Sequence, residues 1–247
     1  MKTFRTMLKV ELKLSLRGLD MFIFAICVPV VVMIIIGIIY GDTPAFDGAE
    51  YTFLEQSFGA LAAISICAGG VMGLPLAVSD YRSKNILKRY KVTPIAPSMI
   101  LFVQVTIYIL YSVFSLLLLY ITAVLMFGYE FHGSLQSFFG GYFLVIASIF
   151  SIGMMIGGLA PNTKIAGVMA SVLYFPMLIF SGATLPYEVM PEGLQKAADI
   201  LPLTQGIKLL KAASLNSSAE TTLIPVVVMC VTAVFCIAVS IKFFKWE

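Results

Sequence analysis

The chain has 247 residues, of which 60% are hydrophobic and only 12% are charged. An ordinary soluble domain carries about 25% charged residues, so this composition excludes a soluble globular protein and indicates a polytopic membrane protein. Sixteen basic and thirteen acidic residues give a net charge of +3. That balance says little by itself, because the side of the membrane on which each charge lies matters more.

The first 20 residues are too charged for a membrane span, but they have helical periodicity. Lys9, Lys13 and Arg17 fall on one sector of the predicted helix, with Glu11 as a minor exception. The other sector is apolar and holds Phe4, Leu8, Leu12, Leu16 and Leu19. The pattern predicts an amphipathic helix that lies along the inner membrane surface. It leaves open whether the helix only anchors the chain to anionic lipid or also docks a partner.

Six apolar windows with few charges follow, and each is long enough to cross a hydrocarbon core of roughly 30 Å once as a helix. Their predicted limits are residues 21–40, 56–79, 98–129, 137–160, 165–187 and 222–241. Pro29, Pro75 and Pro176 fall inside these windows and predict kinks, because proline removes a helical hydrogen bond. We therefore expect an all-α chain with six transmembrane helices, which forms one membrane domain over residues 1–247.

The distribution of basic residues predicts the orientation of these spans. If both termini are cytoplasmic, thirteen of the sixteen basic residues lie inside, and only Lys196, Lys208 and Lys211 lie outside. The first outer loop, residues 41–55, then holds four acidic residues and no basic one. Because Lys and Arg are enriched in cytoplasmic loops, we expect both termini in the cytoplasm.

Two glycine pairs mark places where helices are expected to approach closely. Gly69 and Gly73 lie four residues apart in the second predicted span, and Gly153 and Gly157 do so in the fourth. Each pair puts two glycines on one face of a helix, so that another backbone packs against it. The spacing leaves open whether that other backbone belongs to the same subunit or to a second one.

The loop between the second and third spans is the most cationic segment of the chain. Residues 80–91 hold five basic residues against one acid, Asp80. A short helix is predicted over residues 79–90, and Pro94 and Pro97 end it before the third span. Its apolar side chains are Ile86, Leu87 and Tyr90. Either these charges only set the topology, or the helix docks a soluble partner.

The segment after the fifth span differs from an ordinary outer loop. Gly182, Pro186 and Pro191 break the helix there. Two amphipathic helical pieces follow over residues 193–200 and 204–214, with Pro202 between them. They are too short and too charged to cross the membrane, so we expect interfacial or re-entrant helices on the outer side.

Several chemistries are not expected. Cys27, Cys67, Cys230 and Cys236 lie in predicted spans without histidines or C-x-x-C spacing, so we expect no metal site. His132, the sole histidine, is a solvated loop residue or a pH-sensing one.

An energy source is also missing from the sequence. No charged residue lies in the middle of a predicted span, although ion-coupled transporters commonly carry such residues. No G-x-x-x-x-G-K-[ST] phosphate loop is present either, so we do not expect this chain to hydrolyse ATP.

Together these features resemble the type-2 ABC transporter permease family. The resemblance rests on the basic loop followed by Thr93-Pro94, and on Phe180-Ser181-Gly182-Ala-Thr-Leu-Pro186 after the fifth span. Further matching residues follow in the same segment: Met190-Pro191, Leu194, Leu201-Pro202-Leu203-Thr204 and Gly206. The likeness covers essentially the whole chain, and the segment after the fifth span is its specific part.

This resemblance implies a multi-pass permease subunit of an exporter in the plasma membrane of a bacterium. ATP and magnesium would be bound by separate soluble ABC ATPase subunits, so this chain itself would have no cofactor. It would pair with a second permease, identical or paralogous, within membrane lipid, and no nucleic acid is implied. The ATPase-coupling residues would be Asp80, Arg82, Ile86, Leu87, Arg89 and Tyr90.

The expected substrate is amphipathic: a drug, a lipid-linked molecule or a peptide. A path lined by apolar, aromatic and small polar side chains suits such molecules better than bare ions. Two other classes remain open, namely a self-sufficient secondary carrier or channel, and a non-transporting membrane scaffold or immunity protein.

Overall fold

The computed structural model describes residues 2–18, 20–41, 43–45, 51–86, 97–181, 190–215 and 222–243. These residues form helices joined by short turns, and among them there is no β-strand beyond an isolated bridge between Pro44 and Thr52. The prediction of an all-α chain is confirmed.

Six of the helices are long and apolar enough to cross a membrane. In chain order these spans are Ile23–Tyr40, Phe53–Ser83, Ser98–Phe127, Leu135–Leu159, Thr163–Phe180 and Leu223–Phe243. The number of spans agrees with the sequence prediction. The second span is longer than predicted at both ends, because Thr52 and Glu55 form a capping box at its start and its last turn continues through Asp80.

The second and fourth spans form the centre of the bundle. In their most apolar stretches 83% and 67% of the residues are buried, whereas in the fifth span the share is 17%. The first, third, fifth and sixth spans surround this central pair and expose large apolar side chains, such as Ile38, Phe102, Val172 and Val234. An apolar exterior of this kind is what a helix bundle presents to lipid.

Glycines bring the two central spans into backbone contact. A Cβ added to Gly153 would lie 1.9 Å from the carbonyl oxygen of Gly70, and one added to Gly157 would lie 2.8 Å from the Cβ of Val78. On the other side of the second span, a Cβ on Gly73 would meet the ring of Tyr108 at 2.5 Å. These glycines therefore serve helix packing within one subunit, which resolves the alternative that the sequence left open.

Two of the three predicted proline distortions coincide with a widened helical turn. A π-helical turn, Ile23–Cys27, precedes Pro29, and a second, Ala68–Gly73, precedes Pro75. Because Pro29 has no N–H, the carbonyl of Ala25 loses its usual helical donor. The buried hydroxyl of Ser65 donates to this carbonyl at 2.7 Å. This hydrogen bond connects the second span to the first where the first lacks a backbone hydrogen bond.

The N-terminal helix, Lys2–Gly18, packs beside the third span. Lys9, Lys13 and Arg17 are exposed on its outer side. Part of the predicted apolar sector faces the protein, but Leu16 is 44% exposed, and Leu19 lies outside the described residues. The inward face instead consists of Phe4, Met7, Leu8, Glu11, Leu12 and Ser15.

Two short helices precede the sixth span, Glu192–Ala198 and Pro202–Ser214. Pro202 occupies the first helical position, where its missing N–H costs nothing. The second of these helices is buried between the second, fourth and sixth spans. The same helix also packs against the turn between the third and fourth spans. A Cβ added to Gly133 of that turn would meet the carbonyl oxygen of Ala213 at 1.9 Å.

Candidate functional site

The last turn of the second span, Asp80–Ser83, contacts the N-terminal helix and three other spans. We call these four residues the junction. The helix ends at Ser83, and Lys84 and Asn85 form a turn in which Asn85 has a φ of 55°. The continuous helix predicted over residues 79–90 is therefore wrong at this point, because a residue in the left-handed region interrupts an α-helix.

Arg82 of the junction binds the end of the fourth span. Its Nη1 donates to the carbonyl oxygens of Gly157, Gly158 and Ala160 at 3.0, 2.8 and 2.9 Å. The last carbonyls of a helix have no donor within the helix and carry the negative end of its dipole. The Arg82 guanidinium supplies hydrogen-bond donors to these carbonyls and a positive charge near the negative end of the dipole. The contact is therefore a charged cap on the fourth span.

Tyr81, the neighbouring residue, faces the N-terminal helix and the third span. Its hydroxyl donates to Glu11 Oε2, and Gln104 Nε2 donates to the same carboxylate oxygen at 3.1 Å and to the Tyr81 hydroxyl oxygen at 3.0 Å. One turn further on, the Tyr111 hydroxyl donates to Ser15 Oγ at 2.8 Å. The N-terminal helix is thus held to the second and third spans by polar contacts.

The remaining junction residues reach the fifth span and the solvent. Ser83 Oγ lies 3.4 Å from Thr163 Oγ1, at the first residue of the fifth span. Asp80 accepts from the exposed Lys84 at 2.7 Å, one turn along the helix. Four successive residues therefore link the second span to the N-terminal helix, to three other spans and to the loop that follows.

The predicted coupling residues divide between the junction and the loop. Asp80 and Arg82 belong to the junction, and Ile86 is partly buried just beyond it. Leu87, Arg89 and Tyr90 lie outside the described residues. Sequence reasoning missed Glu11, Tyr81 and Gln104. The signals were there, since Glu11 is the lone acid within a basic amphipathic helix and Gln104 is a long polar side chain inside an apolar window.

The predicted outer motif is described in part. Ser181 is buried at the end of the fifth span, where its hydroxyl donates to the carbonyl oxygen of Leu178 at 3.1 Å. Pro191 is the N-cap residue of Glu192–Ala198, and Pro202 begins the next helix. Gly182 and Pro186 lie outside the described residues.

The end of the bundle opposite the junction carries a small ionisable cluster. Nδ1 of His132 lies 3.7 Å from Glu55 Oε1, and its Nε2 lies 3.9 Å from Glu130 Oε2. Burial and the nearby Glu55 carboxylate raise the pKa of Tyr129 above its usual range, and its ring stacks on that of Phe58. Among the described residues, no group of three or more His, Cys, Asp or Glu side chains is placed to hold a metal ion.

A cavity of about 530 Å³ opens between the third, fourth and sixth spans. Ser98, at the start of the third span, and Ser240, near the end of the sixth, place it in the half of the bundle that contains the junction. Apart from these two hydroxyls and that of Ser151, its side chains are apolar: among them Leu101, Val105, Phe143 and Ile146. The cavity suits an alkyl chain or an apolar ring.

The fold defines an integral membrane protein with six helical spans among its described residues. The sequence matches the family model of the ABC-2 type transporter over residues 2–215. The chain therefore belongs to the ABC-2 type transporter family, which confirms the resemblance predicted from the sequence. Members of this family are membrane subunits of transporters and typically work with ATPase subunits.

Similar curated proteins include three called Nodulation protein J. The protein from Bradyrhizobium diazoefficiens is 30% identical over 95 residues, which cover 38% of this chain and 36% of that protein. Those from Rhizobium leguminosarum bv. viciae and Sinorhizobium fredii are also 30% identical, over 90 and 84 residues. These matches cover 36% and 34% of this chain, and 35% and 32% of the two relatives. The matched stretch thus spans about a third of each relative.

Proposed function

We propose that this chain is the permease subunit of an ATP-driven exporter that moves an amphipathic substrate outward across the membrane. ATP is hydrolysed by separate soluble ATPase subunits that dock on the basic loop after the junction. The observation that carries the proposal is the junction itself. A loop that leaves from a turn bonded to the N-terminal helix and to three other spans is well placed to move the bundle when a partner moves the loop.

The orientation in this proposal puts the junction and both termini in the cytoplasm, where a soluble ATPase is available. It is supported by the bias of basic residues, thirteen of sixteen of which then lie inside. The exposed Lys9, Lys13 and Arg17 fit an interfacial position for the N-terminal helix, since they face away from the protein toward anionic headgroups. The Pro202–Ser214 helix then lies at the outer side, where burial by neighbouring spans allows it to re-enter the membrane.

The substrate class in the proposal follows from the chemistry of the available surfaces. The cavity between the third, fourth and sixth spans has an apolar lining that includes three serines. This combination fits a molecule with an apolar body and a polar end, whereas a bare ion would find no charged ligand there. A second permease chain, identical or paralogous, completes the transporter and covers part of the apolar exterior.

Co-purification tests the docking step. An affinity-tagged permease should retain a soluble ATPase when extracted from its native host in mild detergent. Changing Leu87 and Tyr90 together to aspartate should abolish this association while the protein still inserts, because charged side chains would replace the apolar contacts of the loop. Leu194→Asp with Ile200→Asp is the matched control, since it places two aspartates at exposed positions on the opposite end.

The outcomes separate the function classes. Loss of the ATPase in the loop variant alone supports the proposal. Transport of a fluorescent amphiphile by liposomes that contain the permease and no ATPase would overturn it in favour of a self-sufficient carrier or channel. Absence of both ATPase association and transport would favour a scaffold or immunity protein.

A further inference from the structure

The contact between Arg82 and the fourth span is an internal one, although the sequence suggested that Arg82 faces a soluble partner. The turn that receives it is short of donors. The N–H of Ala160 is already bonded to the carbonyl oxygen of Ile156, and the following residue, Pro161, has no N–H. The chain therefore cannot cap the fourth span with its own backbone in the usual way, and the guanidinium supplies the donors.

The contact completes an interface that runs along the two central spans. From the junction end, Arg82 meets the carbonyls of Gly157, Gly158 and Ala160. Further along, Val78 lies against Gly157, and Gly70 lies against Gly153. Packing at backbone distance leaves little freedom to slide, because any shift would bring main-chain atoms together. Contact alone does not hold one helix to another when one of them is displaced, and the hydrogen bonds of Arg82 supply that attachment at the junction.

The same pair of spans is bridged at the opposite end by the Pro202–Ser214 helix. A Cβ on Gly59 of the second span would lie 3.0 Å from the backbone nitrogen of Lys211, and one on Gly141 of the fourth span would lie 3.3 Å from Leu209 Cγ. Packed contacts thus continue from the junction, along the second and fourth spans, to the Pro202–Ser214 helix.

We propose that Arg82 is a positioning residue that makes the fourth span follow the second when the basic loop is displaced, so that movement reaches the outer helix Pro202–Ser214. This inference rests on the proposed function, because it assumes that an ATPase displaces the loop. Arg82 itself touches neither ATP nor substrate in this role. Its effect is to join two helices into one rigid body, and without it the second span moves alone.

The chain offers a matched pair of variants to test the role. Arg82→Gln and Lys164→Gln each remove one positive charge at the same end of the bundle, but Lys164 is exposed and lies in the first turn of the fifth span, outside the basic loop. Arg82→Lys keeps the charge near the helix dipole on a shorter side chain, and it guards against a failure of Arg82→Gln to fold. Elution as a single species and a cooperative thermal transition in detergent check folding for each variant.

The readout is a distance change between the fourth span and the perimeter of the bundle. Spin labels are placed at Ile38 and Leu135, two exposed residues at the outer ends of the first and fourth spans, after the native cysteines have been replaced. The permease is reconstituted in nanodiscs with the ATPase that co-purifies with the unmodified protein. The distance between the labels is measured without nucleotide and with ATP and vanadate, together with ATP turnover.

We expect the unmodified protein and Lys164→Gln to show the same ATP-dependent distance change. Arg82→Gln should lose that change while it retains ATPase binding and ATP turnover, and Arg82→Lys should recover part of it. If Arg82→Gln keeps the full change, the inference is overturned and the proposed function stands. If the unmodified protein binds no ATPase, the proposed function fails and the inference fails with it. If it binds and turns over ATP but shows no distance change, the inference alone is overturned.

Discussion

Replacing Gly153 with alanine probes the close approach of the second and fourth spans. The added Cβ would lie 1.9 Å from the carbonyl oxygen of Gly70, whereas ordinary van der Waals contact begins at 3.4 Å. The two backbones would have to separate by about 1.5 Å, and a main-chain carbonyl cannot rotate away as a side chain can. Overpacking a well-packed site costs about 1–3 kcal/mol, and a displacement of this size belongs at the upper end of that range or above it.

The assay is thermal unfolding of the purified protein in detergent, followed by helical circular dichroism. Gly140→Ala is the control, because it lies in the same span and has no atom within 4 Å of the added Cβ. We expect a clear fall in the melting temperature for Gly153→Ala and no fall for Gly140→Ala. Equal melting temperatures for Gly153→Ala and the unmodified protein would refute backbone packing between the two spans.

Two further predictions concern the polar contacts that hold the perimeter to the central spans. Glu11→Ala should free the N-terminal helix and raise amide hydrogen exchange over residues 2–18, because the helix loses its hydrogen bonds to Tyr81 and Gln104. Hydrogen bonds to a charged acceptor contribute about 1.5–3 kcal/mol before solvent screening. Lys9→Ala, on the exposed side of the same helix, should leave exchange unchanged. Ser65→Ala should lower stability by about 1–3 kcal/mol in the same unfolding assay, because the buried Ala25 carbonyl loses its donor. Ser57→Ala should have little effect by comparison, since that hydroxyl bonds only within its own helix; equal losses from the two serine variants would contradict this account.

The spans could be predicted from the sequence because the bilayer imposes a simple requirement on composition. A helix of about 20 apolar residues crosses the hydrocarbon core with all its backbone polar groups hydrogen-bonded within itself. Apolar windows of this length without charges therefore mark the spans. The ends were harder to predict. Asp80 closes the second window in the sequence, yet the helix continues to Ser83, because backbone hydrogen bonding does not stop where the hydrocarbon stops.

The candidate site could be predicted only in part, because side-chain direction depends on where the helix ends. A continuous helix over residues 79–90 would group Arg82 with the other cations of the loop. The turn at Asn85 separates them, and Arg82 points to the fourth span. The partners of Glu11 could not be read from periodicity either, since they lie 70 and 93 residues away in the sequence.

The length of the second span has a consequence for the membrane around the junction. Its 31 residues measure about 46 Å as a helix, whereas the hydrocarbon core is roughly 30 Å thick. Several of its residues must therefore lie among lipid headgroups, and we expect the junction to be one of the parts that do. We expect lipid phosphates at this depth to compete with the carbonyl oxygens of the fourth span for the Arg82 guanidinium, to an extent that depends on bilayer thickness. We therefore expect the strength of the contact between Arg82 and the fourth span to depend on the headgroup charge and the thickness of the surrounding bilayer.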